Sequence, residues 1–596
     1  MRRHLGSYAI LAFLFAFLGA FLVYPIWLTI RGAIIDDRGS FVSYAILEVF
    51  RDPTWRTGLI NATLIAISTT TLASVIAFPL ALVASRCEWR GKALVSALLL
   101  CPMILPPFVG AIGIRLLFGR GGAVNAFLES IGLISAPIDF LGKGGFAAIV
   151  IFQAFALYPI IYLNLLAALS NLDPALEDAA TNLGASRFTR LRRIVLPLVR
   201  PGFFAGATIV FIWSFTELGT PLLLEYQEVT PVQIFNGIKE METSRQPYAL
   251  TAVMLASAIA FYILGKSVLG KQSYAMYSKA AVASRDRTIT GAKAAGATAL
   301  FLTIGFIAVL PHIGVILASV SKSGQWYRSV LPSDFTLEHF ATALTHPLSA
   351  GAIRNSLLLA GTAVILDMVI GVLVARILVR SKIRGRAILD ALVMLPLAVP
   401  GLVMAFGYVA MTLRWPFNGA MPTNLNIALG WLPSGLLAWL NDAPLKPFAD
   451  VLGADPNPMP LLVLAYAIRR LPYVVRSAAA GLEQTSVELE EAALNVGASK
   501  WTLTRRIVLP LILANLVAGG LLAFAFAMLE VSDSLILAQR EQHFPITKAI
   551  YSMADRLGDG PYVASALGVW GMALLAVCIL GASVVLGKKM GALFRA

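Results

Sequence analysis

Long apolar stretches alternate along this chain with short polar ones. Twelve stretches, at roughly 8–30, 59–85, 93–118, 146–170, 202–225, 250–270, 297–320, 356–379, 387–413, 460–481, 513–537 and 563–587, can each cross a hydrocarbon core about 30 Å thick as a helix. The pattern predicts an all-α polytopic membrane protein with about 12 transmembrane helices. The segment 414–460 breaks the rhythm. It is rich in Pro, Asn and Gly, and its apolar part, 427–440, is short and interrupted by Pro433. That part is predicted to lie along the membrane surface.

The twelve stretches form two sets of six. Asn61, Arg90-Gly91-Lys92, Pro102 and Pro106 recur 294 residues later as Asn355, Arg384-Gly385-Arg386, Pro396 and Pro400. Further on, Leu176 to Pro197 recurs 313 residues later as Leu489 to Pro510, with 15 of 22 positions identical. The growth of the offset places an insertion of 19 residues in the second set, within 414–460. Six is an even number, so the two repeats run parallel through the membrane rather than inverted. The expected organisation is a first half at 1–270, a cytoplasmic linker at 271–296 and a second half at 297–596.

Composition agrees with a membrane solvent: 58% of the 596 residues are hydrophobic and 13% are charged. The net charge of +15 does not point to nucleic acid. Lys and Arg gather in the short segments that face one side when the N-terminus is cytoplasmic, while most Asp and Glu fall elsewhere. This positive-inside bias places both termini in the cytoplasm. The basic start, Met1-Arg-Arg-His4, leads into an apolar run longer than that of a signal peptide, which reads as an uncleaved first span. The three cysteines are isolated, and no His, Cys or acidic set has metal-ligand spacing, so neither a disulfide framework nor a metal site is expected. Gly265-Lys266-Ser267 ends like a phosphate-binding loop, but position 260 is Ala and the segment closes an apolar helix. No catalytic residues are expected, and no cofactor in this chain.

The repeated polar segment is the main candidate site. In its first copy, Glu177, Ala179 and Ala180 open a short helix and Gly184 follows one turn later. Small side chains permit close helix contact, and Gly permits positive φ where the chain must turn. Glu490, Ala492, Ala493 and Gly497 hold the same places in the second copy. A solvated connecting loop would drift between the halves, yet these loops, 173–201 and 483–512, are the best-matched part of the repeat.

The pattern Glu-x-Ala-Ala, then Gly, then Ile-Val-Leu-Pro resembles the cytoplasmic coupling loop of the permeases of binding-protein-dependent ABC importers. Two loops in one chain look most like the fused permeases of ferric-iron importers. Similar fused forms serve thiamine, and relatives serve aminoethylphosphonate, polyamines and sugar phosphates. The resemblance implies a bacterial inner-membrane subunit that is not itself an enzyme. It also implies a cytoplasmic ATPase homodimer, which uses ATP and Mg, docked on the two loops. A periplasmic or extracellular binding protein would deliver the cargo.

Charged residues at membrane depth form a second constellation. Glu217 and Glu530 are repeat counterparts, and Asp533 lies one helical turn from Glu530. Ionisable groups inside a span are costly and usually face a bundle interior or water, so these three are candidates for a translocation pathway or gate. The same residues could instead cap backbone or pair with Arg. Asp367 has Ala73 as its counterpart and is expected to form a structural pair with Arg376 or Asn355. An ATP-independent transporter or channel would also bury acids but has no use for two matched loops. A membrane-embedded enzyme would need a catalytic cluster, and none is present.

Overall fold

The computed structural model describes residues 5–36, 39–104, 106–142, 145–170, 172–269, 287–453 and 456–586. It is almost entirely helical. Among the described residues, ten helices are long and apolar enough to span a membrane: Gly6–Ile34, Pro53–Arg86, Pro107–Ser130, Phe146–Ser170, Arg187–Leu223, Gln246–Ser267, Gly291–Val320, Pro347–Arg380, Lys500–Met528 and Gly560–Ala582. The pair Arg386–Ala398 and Gly401–Thr412 is long and apolar enough only when taken together, and it is bent by 104°. The twelfth expected stretch forms the helix Met459–Glu483, whose 25 residues are long enough. It carries Arg469, Arg470 and Arg476, so its apolarity falls short where that of its counterpart, Phe146–Ser170, does not.

Prolines account for the other departures from twelve straight helices. The stretch 93–118 is broken into Lys92–Leu98, Cys101–Ile104 and Pro107–Phe118. Pro102, Pro106 and Pro107 lack an N–H and crowd the preceding turn, so no continuous hydrogen-bond ladder can pass through them. Pro396 and Pro400 bend the equivalent place in the second half. Both broken spans start after a glycine in the left-handed region, Gly91 at φ 90° and Gly385 at φ 98°. Three short π-turns, Gly19–Val23, Leu191–Val195 and Thr504–Val508, each end two residues before a proline. In the second of these, the Leu196 N–H bonds the Leu191 carbonyl five residues back. The wider turn relieves the crowding that Pro197 imposes and lets the helix continue into the span.

The chain forms two compact units that do not coincide with the sequence halves. One comprises Met1–Val49, Ile234–Ala252 and Leu337–Ala596; the other comprises Phe50–Gln233 and Val253–Thr336. Each unit thus contains the opening span of the opposite half. In the first unit, the Tyr408 hydroxyl donates to the Phe21 carbonyl at 2.9 Å, and Phe406 meets Tyr248 edge to face at 5.2 Å. Gly407 sits against the Pro25 carbonyl, where a Cβ would approach to 2.6 Å. In the second unit its counterpart Gly113 sits against the Pro311 carbonyl, where a Cβ would approach to 1.8 Å. Membrane helices lack a hydrophobic force between them, so a small residue that lets backbones touch is what holds such a joint.

Of the expected linker 271–296, residues up to 286 lie outside the described residues, as do the basic N-terminal residues 1–4 and the end of the chain, 587–596. Arg287–Thr288 runs parallel to Cys87–Glu88 as a two-residue ladder, and the helix Gly291–Val320 begins within the expected linker. The insertion folds into the short helices Thr423–Ala428, Ser434–Asn441 and Lys446–Ala449. Ile427, Trp431, Trp439 and Phe448 are exposed on it, the residue types that settle at a membrane interface.

Because the joint is a backbone contact, Gly113→Val and Gly407→Val are each expected to cost about 1–3 kcal/mol by overpacking. A Cβ on Gly351, also within a helix, meets nothing within 4 Å, so Gly351→Val serves as the control. Thermal unfolding followed by size-exclusion chromatography should show lower midpoints for the first two variants alone.

Candidate functional site: two elbows and a buried charge cluster

Each repeated loop folds as a helical elbow with its own caps. Asp173 accepts the Ala175 N–H at 2.9 Å and starts the helix Pro174–Asn182. Ser486 accepts the Glu488 N–H at 3.2 Å and starts Val487–Asn495. Gly184 has φ 81° and Gly497 φ 87°. In the first elbow, the Ala185 N–H reaches the Ala180 carbonyl at 2.9 Å and the Gly184 N–H reaches Thr181 at 2.9 Å. In the second, Ala498 reaches Ala493 at 3.0 Å and Gly497 reaches Leu494 at 3.0 Å. This paired closure requires a left-handed residue after the helix, which is why Gly stands there in both copies. Ser186 and Ser499 then accept the N–H groups of Thr189 and Thr502 and start the next helix. Gly-Ala-Ser therefore ends one helix and begins another within three residues.

The glutamates of the motif face inward along the chain. Glu177 pairs with Arg86 at 2.6 Å, and Glu490 pairs with Arg380 at 2.7 Å. Arg86 and Arg380 end counterpart spans, so each pair ties an elbow to the second span of its own half. The first pair is solvated, with side chains 42% and 26% exposed; the second is enclosed, at 16% and 12%. Arg380 also donates to the carbonyls of Leu482 and Thr485 at 2.8 and 2.9 Å. Ala180 and Ala493 lie on the inner side of the elbow, and Ala179 and Ala492 are exposed. Apolar side chains project beside the turns: Leu183 is 88% exposed and Phe188 70%, and their counterparts Val496 and Trp501 are 86% and 71% exposed. Identity analysis of the repeat passed over these positions because they conserve apolar character rather than residue type.

The intramembrane acids are held differently in the two halves. Glu217 accepts from the Thr220 N–H at 3.1 Å and from its hydroxyl at 3.3 Å, and so caps the helix Gly219–Leu223. Glu530 is 4% exposed, pairs with Arg469 at 2.9 Å and is bonded by Arg470. Asp533 is 1% exposed and lies 3.6 Å from Arg469. The expected acidic face is therefore mixed in charge. The first half has Ala156, Leu157 and Thr220 where the second has Arg469, Arg470 and Asp533. The two positions differ together: Thr220 bonds Glu217 in the first half, and its counterpart Asp533 lies beside the two arginines that bind Glu530 in the second. The sequence signal for this cluster was the Arg-Arg pair inside a span, absent from the first half.

Asp367 does not pair as expected. Arg376 donates to Thr504, and Asn355 donates to the carbonyls of Gln542 and Phe544 at 2.9 and 3.2 Å. Asp367 is buried with neither carboxylate oxygen hydrogen-bonded, and the charge acting on it is Arg470.

The two elbow pairs differ in exposure, and this difference is measurable. A solvated ion pair contributes at most about 1 kcal/mol, whereas charge-assisted hydrogen bonds in an enclosed setting contribute about 1.5–3 kcal/mol. Hydrogen exchange should therefore speed up in Val487–Asn495 on Arg380→Ala by more than about tenfold, and in Pro174–Asn182 on Arg86→Ala by less than about fivefold. Equal effects would contradict the assignment.

Comparison with known proteins follows the same twofold plan. Residues 74–274 and 367–587 each match the family described as the binding-protein-dependent transport system inner membrane component. FbpB 1 of Haemophilus influenzae, named for ferric transport as a permease, is 27% identical over 542 residues, covering 87% of this chain and 76% of that one. The ferric transport system permease protein FbpB of Actinobacillus pleuropneumoniae is 28% identical over 477 residues, covering 78% of this chain and 62% of that one. The sulfate transport system permease protein CysT of Salmonella typhimurium is 30% identical over 195 residues, covering 32% of this chain and 64% of that one. Each matched region holds one elbow and one intramembrane glutamate. The chain thus belongs to the family of binding-protein-dependent transport system inner membrane components, and it carries that component twice in one polypeptide.

Proposed function

We propose that this permease imports ferric iron handed over by a binding protein outside the membrane, driven by two copies of one ATPase docked on its two elbows. The matched build of the elbows carries this reading. Both are closed by the same glycine turn, and both expose an aliphatic and an aromatic residue at corresponding positions. Exposed apolar pairs on a polar loop favour burial in a partner cleft. Similar elbows call for the same partner twice, so the assembly is one permease with an ATPase homodimer that binds ATP and Mg. The positive-inside bias supports a topology with the elbows and both termini on the cytoplasmic face of the bacterial inner membrane. Ferric iron as cargo is supported by the two relatives named for ferric transport that match most of the chain.

Glu217, Glu530 and Asp533 belong to the proposed pathway or its gate, and Glu217 and Glu530 are proposed to approach each other in one state of the cycle. The local geometry supports different burdens for the two glutamates. Glu217→Gln keeps an oxygen for the Thr220 bonds and removes the charge. Glu530→Gln leaves Arg469 and Arg470 without their main counter-charge, and breaking a buried pair in this way costs about 3–5 kcal/mol.

Native mass spectrometry of the purified complex is expected to show two ATPases per permease, and a single one would contradict the proposal. Replacing both Gly184 and Gly497 by Val strains each turn by about 1–3 kcal/mol, and ATP-driven uptake of radioactive iron into proteoliposomes should fall while the spans still insert. Glu217→Gln should leave assembly intact and lower uptake, whereas Glu530→Gln should lower the thermal midpoint as well. Full uptake by the Glu217→Gln variant, together with no crosslink between cysteines at 217 and 530 in any nucleotide state, would remove these acids from the pathway.

A further inference from the structure

Lys548 lies on the helix Ile546–Ala554, between the spans Lys500–Met528 and Gly560–Ala582. It is 8% exposed. Its ammonium donates to the Leu535 carbonyl at 2.9 Å and stands 5.4, 5.6 and 5.8 Å from the ring centres of Phe235, Phe544 and Tyr551. Cation–π contacts of this kind offset part of the lost hydration. They supply no negative charge. Among the described residues no carboxylate forms an ion pair with Lys548, and the charged group acting on it is another cation, Lys239. Burial first, and Lys239 second, push the Lys548 ammonium down to about 8.

The repeat shows that packing does not require this charge. Past Glu228 the two halves align with an offset of 314, which matches Pro231 with Pro545 and Tyr248 with Tyr562. The same register relates two hydrogen bonds, Asn61 to the Glu228 carbonyl and Asn355 to the Gln542 carbonyl, both 2.9 Å. Lys548 then corresponds to Ile234, so the first half fills this position with a hydrocarbon. Phe235 touches Lys548 and also meets Tyr551 edge to face at 6.4 Å. The helix Thr230–Gly237 therefore packs on its own counterpart. In the topology given by the charge bias, both helices lie between spans on the outer face.

We propose that Lys548 is a cargo-contacting residue that supplies the counter-charge for a carboxylate or phosphate group on the cargo, and is parked on three aromatic rings until that group arrives. The proposal rests on the importer reading and deepens it: iron crosses as a complex that keeps anionic ligands, not as a bare cation. A bare cation meeting the Lys548 ammonium would be repelled, whereas an anionic ligand gains a charge-assisted hydrogen bond. Phe235, Phe544 and Tyr551 hold the ammonium near its working position at low cost in solvation.

The test uses the full chain in nanodiscs and the membrane-impermeant reagent sulfo-N-hydroxysuccinimide acetate, with acylation of Lys548 read by peptide mass spectrometry. Citrate and inorganic phosphate are the anionic probes, with chloride at equal ionic strength as control. Acylation is expected to be slow in the native chain and faster in Phe235→Ala. Citrate or phosphate should slow it about fivefold or more in that variant, corresponding to about 1 kcal/mol of selective contact, while chloride leaves it unchanged. In the complete importer, uptake of iron supplied with citrate should survive Lys548→Arg and fall about tenfold in Lys548→Ile, which installs the residue of the other half. Labelling that ignores citrate and phosphate in both chains, or full uptake by Lys548→Ile, would overturn the proposal. The labelling arms need neither ATP nor the ATPase. Uptake that proceeds without ATP would sink the importer reading and leave the labelling result standing.

Discussion

A lipid interior offers no hydrogen bonds, and that constraint governs most of what is seen in this chain. Every backbone group at membrane depth must find its partner inside the protein. Proline leaves its mark where it clusters or opens a span: breaks fall at Pro106 and Pro400, which are equivalent places, and the π-turns before Pro25, Pro197 and Pro510 absorb a missing N–H without breaking the helix. Single prolines such as Pro79, Pro159, Pro311 and Pro472 are carried inside continuous helices. The same solvent removes the hydrophobic force between helices, so contact must come from shape. Gly113 and Gly407 supply it by bringing one helix against a carbonyl of another.

Charge at depth obeys the same constraint. The two halves descend from one pattern, yet they neutralise their intramembrane glutamates by different means. Glu217 accepts from a threonine N–H and hydroxyl, and Glu530 is bound by two arginines, one of which also lies near Asp533. Exchanging one solution for the other takes several coordinated substitutions, because a lone buried arginine or aspartate would be left unpaired. The divergence makes the second half the chemically distinctive one. Lys548 adds to it, a buried cation where the first half has Ile234.

The elbows lie where water is available, and they invert the rule. Their helices are short, capped by Asp173 and Ser486 and closed by glycine turns, so they keep their shape without a core of their own. Arg86 and Arg380 tie them to spans through Glu177 and Glu490. Among their exposed polar residues each also presents large apolar side chains, unusual for a surface loop. A rigid, anchored segment with exposed Leu183, Phe188, Val496 and Trp501 is suited to transmit a push from a partner into the spans.

Reading the chain without coordinates recovered the membrane class, the parallel duplication, the elbows and their glycine turns. Each depends on local composition or on self-similarity, and a 22-residue repeat with an apolar period needs no tertiary information. Tertiary structure decided the rest. It grouped each opening span with the opposite half, since that joint is a contact between residues hundreds of positions apart. It turned an expected acidic face into a mixed cluster, because Arg469 and Arg470 point at Glu530 from a different helix. It left Asp367 buried and apart from Arg376 and Asn355, which are engaged elsewhere. It also placed Lys548 on three rings, one of them on the counterpart helix. Helical period and hydropathy are properties of neighbours in the chain, whereas the partner of a buried charge is set by which helix lies across from it.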